Sequence, residues 1–315
     1  MGIGEFGSGV AMEVTAFTAV SATLYYLASL HEPSDTCSGV YNCVISMLND
    51  EEYHLRCMIS FPIAILIYLA SAVTAATMFP RKVAVRGSRP PIASFHNWSA
   101  DINVSLLGLL SGTPMIQLFH VCNDKYGDAS GMRLYKDPFQ YGLIWAVAQI
   151  PIYLLMWDLT FYILHRWVLH HPLFYKLLHS GHHAFRPPTG WSGIAVGPLD
   201  VIFEGILPYT IPLFFGIPFH EYTVNAVNAL LTFHACVLHS SCHAEYGNLS
   251  GFLGWLMISP IGHNMHHQYG LKNACNFAPI FKIWDRWLGT LNETEPFWWK
   301  TDRKQSSEIE SSKGK

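Results

Sequence analysis

Apolar residues in this chain come in long blocks separated by short polar stretches, not in the alternation of a half-buried strand. A helix that crosses a bilayer needs roughly 20 mostly apolar residues. The block at 10–30, "VAMEVTAFTAVSATLYYLASL", meets that length and carries one acid, Glu13. The block at 57–79 is cleaner, whereas 103–120, "NVSLLGLLSGTPMIQLFH", is interrupted by Gly and Pro. A fourth, 138–164, is long enough to protrude beyond the lipid. Two more, 197–217 and 219–238, are so closely joined that they predict a hairpin entering and leaving on one side. Strand signals are weak, and no internal repeat is visible. The expected fold is all-α: an integral-membrane bundle of about four spans plus a short re-entrant hairpin. The chain divides into an N-terminal membrane region (1–137), a core (138–300) and a polar tail (301–315) that lacks large apolar residues and is expected to be disordered. The opening "MGIGEFGSG" is given no structural meaning.

Charge orients the bundle. Arg81, Lys82, Arg86 and Arg89 follow the second block, whereas 31–56 is acidic and holds only Arg56. The positive-inside rule then places 80–102 in the cytosol, and counting spans forward places 165–196 and 239–315 there too. Composition agrees with a membrane protein: half of the 315 residues are hydrophobic, 13% are charged, and the mean hydropathy is +0.22. A net charge of −3 argues against a nucleic-acid partner. The seven cysteines include no CxxC pair, which argues against a zinc ribbon or a thioredoxin-type site. Cys37 and Cys43 share the predicted lumenal loop but are expected to be free thiols. Of the sequons at Asn97, Asn103, Asn248 and Asn292, none is expected to be glycosylated, because three lie on the cytosolic side and Asn103 at a membrane edge.

Histidine changes the picture. Of 17 histidines, 13 fall between 165 and 267, and 11 of these lie in "HRWVLHHP" (165–172), "HSGHH" (179–183), "HSSCH" (239–243) and "HNMHH" (263–267). The predicted topology puts all four clusters on one face of the membrane. On a helix, positions i, i+3 and i+4 share a face, so His179, His182 and His183 are expected to point one way, as are His263, His266 and His267. His239 and His243 form an i, i+4 pair. His165 and His170, five apart, lie about 140° apart on an ideal helix. Either a π-bulge brings them together or they serve different ions, and geometry alone does not choose between His170 and His171. Isolated histidines (His31, His54, His96, His120 and His220) are read as interfacial or hydrogen-bonding groups, and His234 as packing.

Neutral imidazoles directed at one point are what a transition metal requires. Ten candidate ligands exceed what one ion can use, so two ions follow. Cys236, Cys242 and Cys275 have no spacing that indicates structural zinc, and magnesium or calcium would need oxygen ligands that the motifs lack.

The run "DLTFYILHRWVLHHPLFYKLLHSGHH" (158–183) together with "GHNMHHQYGLKNACNFAPIFKIWDRWLGTL" (262–291) resembles the fatty acid hydroxylase/sterol desaturase superfamily of integral-membrane di-iron enzymes. The likeness covers roughly 138–291. The HxxxxH spacing looks like the fatty acid hydroxylase branch, whereas "NFAPIFKIWDRWLGTL" is similar to the cholesterol 25-hydroxylase branch, so the substrate stays open. The resemblance implies metal ligation by His165, His170, His179, His182, His183, His239, His243, His263, His266 and His267. It is also what favours His170 over His171. Asp158, Asn276 and Asp285 lie near the motifs and are candidates for orienting imidazoles, with capping or a surface ion pair as the alternative.

The resemblance further implies two irons, O2 as co-substrate, and oxidation of an unactivated C–H bond of a fatty acyl chain or sterol. Hydroxylation and desaturation both stay open. It implies electrons from a separate cytochrome b5 and its reductase, and residence in the endoplasmic reticulum. No GxGxxG follows a strand, and "HPLF" (171–174) is not a haem-anchoring HPGG. Arg166, Lys176, Arg186 and Lys282 are candidates to meet an acidic partner, or to face lipid headgroups. Two other classes compete. A metal transporter would hold ligands at mid-membrane within broken spans, and a zinc hydrolase would use three or four ligands and a carboxylate base.

Overall fold

A computed structural model describes residues 11, 13–15, 48–78, 98–185, 188–240 and 251–293. The expected span over 10–30, the loop 80–97, Cys37, Cys43, Arg186, His243 and the tail therefore lie wholly or largely outside the described residues. Of the first block, Ala11 and Glu13–Thr15 are helical.

Three long helices form the frame: α1 (Glu51–Met78), α2 (Trp98–Tyr126) and α3 (Gly142–Leu164). With the turn that follows α3, these are the three described helices long and apolar enough to cross a membrane, at mean hydropathies of 2.1, 1.4 and 1.5. Each contains a proline (Pro62, Pro114 and Pro151) without ending there. Neighbouring helices re-satisfy the freed backbone in a membrane bundle, which is why proline is tolerated. The glycines that interrupt the apolar pattern of α2 serve contact. A Cβ at Gly108 would meet the Val196 carbonyl oxygen at 3.0 Å, so the helix rests directly on the loop that carries site residues.

The expected short hairpin is built from two unlike arms. Its first arm is an apolar helical stretch, Ile202–Phe214, of mixed pitch: a π-turn (Ile202–Ile206), α5 (Leu207–Thr210) and a 3-10 turn (Ile211–Phe214). At 1.5 Å per residue it is too short to cross. The second arm is α6 (Glu221–His239), whose Asn225, Asn228, Thr232 and His234 lower its hydropathy. It packs inside the bundle, where Cys236 and Val237 meet Tyr68, Ala72 and Ala75 of α1. Short helices complete the fold: α4 (Tyr175–Leu178), α7 (Gly251–Leu256), α8 (Pro260–Tyr269) and α9 (Lys282–Trp287). Among the described residues the strands are one two-residue parallel pair, β1 (Leu134–Tyr135) beside β2 (Phe219–His220).

The bundle has two unlike ends. At one, Arg56 donates to Asp124 (2.5 Å) and Glu221 (3.2 Å), beside the β1–β2 pair. At the other, the end of α1, the end of α6 and the start of α2 meet the loop 188–192. There Thr189 donates to Asp101 (2.8 Å) and Tyr68 donates to the Trp191 carbonyl (2.7 Å). Every histidine-dense segment within the described residues lies at this second end.

Candidate metal centre

The sequence of α3 continues past Leu164 into a π-turn, His165–Leu169, closed by the His170 amide donating to the His165 carbonyl at 2.9 Å. An i→i+5 turn puts residues five apart on one face. His165 and His170 accordingly stand with ring centroids 4.9 Å apart, both buried. Of the two alternatives for this pair, the bulge is the one present. His171 points outward, its Nδ1 accepting from the Leu173 amide.

Nine of the ten expected ligands are described, and they gather into two groups. His165, His170, His179, His183 and His266 form one; His182, His239, His263 and His267 form the other, with donor atoms in each within 4.8 Å of one another. The expectation that each HxxHH motif points one way is corrected. His179 and His183 enter the first group and His182 the second, while His263 and His267 enter the second and His266 the first. Positions i and i+4 converge, and the ring at i+3 stands alongside, aimed at the neighbouring point. The nearly parallel ring pairs show this: His179–His182 at 23° and His263–His266 at 19°. Each motif thus contributes to both groups. Only the second motif lies on a regular helix, α8, capped by Ser259 accepting from the Gly262 amide; the first lies on a turn and a 3-10 segment.

Five of the imidazole tautomers are fixed from behind. Nδ1 of His165 donates to the Phe277 carbonyl (2.8 Å), that of His182 to Ala195 (3.2 Å), that of His239 to Ala235 (2.8 Å) and that of His266 to Cys275 (2.8 Å). His179 Nδ1 faces the Asp200 carboxylate at 3.0 Å. With Nδ1 protonated, each Nε2 presents a lone pair inward.

Those lone pairs confront one another. His165 and His179 Nε2 are 3.0 Å apart, and His170 and His183 Nε2 3.1 Å apart. His239 Nε2 lies 3.1–3.3 Å from the Nε2 atoms of His182, His263 and His267, and His266 Nε2 is buried with no partner. Facing lone pairs repel unless a cation lies between them. Donors about 2.1 Å from a common ion sit roughly 3.0–3.4 Å from each other, so the spacing fits a metal at each group. Burial pushes the His182 imidazole down to about 4 and the His239 imidazole down to about 3, and drives His179, His183, His263, His266 and His267 well below the usual range. All are neutral at physiological pH, the form that binds a metal.

The three residues expected to orient imidazoles act one step further out; none touches an imidazole among the described residues. Asp158 accepts from the Ile280 and Phe281 amides and the Trp284 indole. Asp285 accepts from the Phe277 and Ala278 amides and the Thr290 hydroxyl, fixing the peptide whose carbonyl holds His165. Asn276 donates to the Gly262 and Asn292 carbonyls. They are neither surface ion pairs nor caps. His234 donates to the Pro279 carbonyl and belongs to neither group.

Two carboxylates escaped the sequence reading. Asp200 and Glu204 stand beside His179, the three having donor atoms within 4.8 Å of each other. The available signal was two acids inside an otherwise apolar run, 197–217, since an ionisable group in such a run points to function.

Comparison with known proteins agrees. The fatty acid hydroxylase family model matches residues 150–290. A Δ7-sterol 5(6)-desaturase, ERG3A of Gibberella zeae, is 31% identical over 166 residues, 52% of this chain and 44% of that protein. Human lathosterol oxidase is 30% identical over 160 residues, 50% of each chain. A Δ7-sterol 5(6)-desaturase of Aspergillus fumigatus, erg3C, is 27% identical over 182 residues, 52% of this chain and 54% of that one. The chain spans about half the length of the curated relatives it matches, and no solved structure matches it. Residues 150–290, which carry all nine gathered imidazoles, match the fatty acid hydroxylase family model and are similar to these sterol-modifying enzymes.

Proposed function

We propose that the protein is a membrane oxidoreductase that uses O2 and two irons to oxidise an unactivated C–H bond of a lipid. The observation that carries this reading is the gathering of nine imidazoles into groups of five and four with their lone pairs turned inward. His165, His170, His179, His183 and His266 would hold one ion, and His182, His239, His263 and His267 the other. His243 is a further candidate outside the described residues. The irons, when bound, supply the O2 activation needed to break the bond. The protein's part is to hold the imidazoles neutral and aimed, and to keep water out of a site whose ligands are all buried.

The relatives' names favour a sterol as the lipid and desaturation as the outcome. Hydroxylation uses the same ligands, and the outcome depends on how the substrate carbons are held. The loop 80–97 joins the histidine end of α1 to that of α2, and its arginines and lysine support a cytosolic histidine end in an endoplasmic reticulum membrane. Cytochrome b5 and its reductase would deliver electrons there. Ligands clustered beyond the span ends disfavour a transporter, and nine gathered imidazoles exceed the need of a zinc hydrolase.

Expression in cells with an intact cytochrome b5 chain, followed by untargeted lipid profiling, tests the reading. A sterol product lighter by two hydrogens indicates desaturation, and one heavier by an oxygen indicates hydroxylation. No changed lipid, together with one zinc per purified chain, would overturn the proposal.

A further inference from the structure

Glu204 is a buried acid with nothing ordinary to balance it. Its side chain is 11% exposed, no backbone amide or hydroxyl donates to it, and no lysine or arginine among the described residues pairs with it. Its carboxylate lies 3.6 Å from His179 Nδ1 and 3.8 Å from His165 Nε2, both members of the five-histidine group. His179 has one Nδ1 hydrogen, and the Asp200 carboxylate claims it at 3.0 Å. A third acid, Glu13, adds to the imbalance: its carboxylate accepts from the Asp200 amide at 3.4 Å and fills the space a side chain at Gly197 would need.

Apart from the backbone amide that donates to Glu13, three largely buried carboxylates therefore share one imidazole N–H and no fixed cation among the described residues. Burying a charge is tolerated only where it is paired or coordinates a metal. The five-histidine group has an open donor as well, because His266 Nε2 is fully buried and has no partner. Resting on the two-iron reading above, we infer that the Glu204 carboxylate supplies an oxygen ligand to the ion held by the five-histidine group, while Asp200 positions His179 through its Nδ1 hydrogen. The two sites are then chemically unequal. One offers nitrogen and a carboxylate oxygen, the other among the described residues offers nitrogen alone, and a carboxylate favours harder divalent ions.

The test uses the detergent-solubilised full chain loaded with iron-57, read by Mössbauer spectroscopy and by iron retained against a chelator. The wild type should hold two irons with distinguishable signals. Glu204→Gln, which keeps the shape and removes the charge, should change one signal and make that iron roughly 10- to 100-fold easier to remove. Glu204→Asp should lie between, since it keeps the oxygen but shortens its reach. Variants that hold both irons as tightly as the wild type with unmoved signals would overturn the assignment, and so would loss of both irons together. A wild-type chain that retains no iron would instead overturn the oxidoreductase reading, and this inference with it.

Discussion

At the scale of single residues, the adjacent His170 and His171 make the sharpest contrast. His170 is buried among His165, His183 and His266, and His171 is exposed. His170→Ala should lower activity by at least ~100-fold and leave less iron per chain, whereas His171→Ala should leave both within about twofold of wild type. Equal losses from the two variants would show that the ring assignment is wrong. The buried imidazoles also set a pH response. Burial pushes His182 down to about 4 and His239 to about 3 in the folded protein, against roughly 6.5 in an unfolded chain. Between those values the unfolded chain binds protons that the folded one refuses, so stability is full above about pH 6.5 and is lost as the pH falls toward 4. The melting temperature of metal-free protein should drop steadily below pH 6.5. A flat profile down to pH 5 would contradict the buried, neutral state.

At the scale of elements, the π-turn after α3 admits one extra residue while keeping both its ends on one face. Deleting Trp167, which is half exposed, should let the turn relax to ordinary helix. His165 and His170 would then stand at i and i+4, still on one side. The deletion variant should retain two irons, whereas an alanine inserted after Trp167 should cost the five-histidine group its ion. Loss of iron from both would show that the bulge itself is required. Asp285 works at the same scale, holding the 277–278 peptide against His165. Asp285→Ala strands buried donors at ~1–3 kcal/mol each, and should lower the melting temperature and loosen the first iron more than the second. Part of this was legible in the sequence: α1, α2 and α3, and the convergence of i with i+4 in the histidine motifs, because apolar blocks and i, i+4 spacing follow from helix geometry; whether His165 and His170 share a bulge or serve different ions stayed open there. The exchange of His182 and His266 between groups was not, since it depends on how α8 meets the 179–183 turn. Nor were the carbonyls of Phe277, Ala195 and Cys275, because every residue has a carbonyl and only folding selects which one faces an imidazole.

At the scale of the whole molecule, the two unlike ends separate stability from chemistry. Arg56 links Asp124 and Glu221 at the end away from the histidines, with Lys136 against Asp124 at 2.8 Å. Arg56→Ala leaves two acids that are 8% and 15% exposed without their main partner, and should cost of order 2 kcal/mol, less than a fully buried pair because Arg56 retains some solvent contact. Iron per folded chain should not change; a loss of iron would mean that the ends are coupled. The ends also fix an orientation that glycosylation can read. Asp128→Asn creates the sequon N-A-S in the turn after α2, on the Arg56 side, whereas Asn292 already carries one near α9 on the histidine side. If positive charge after α1 holds the histidine end in the cytosol, the new sequon lies in the lumen and should gain a glycan, visible as an enzyme-sensitive mass shift, while Asn292 stays bare. A glycan on Asn292 would turn the molecule over, and the centre would then face away from any cytosolic electron donor.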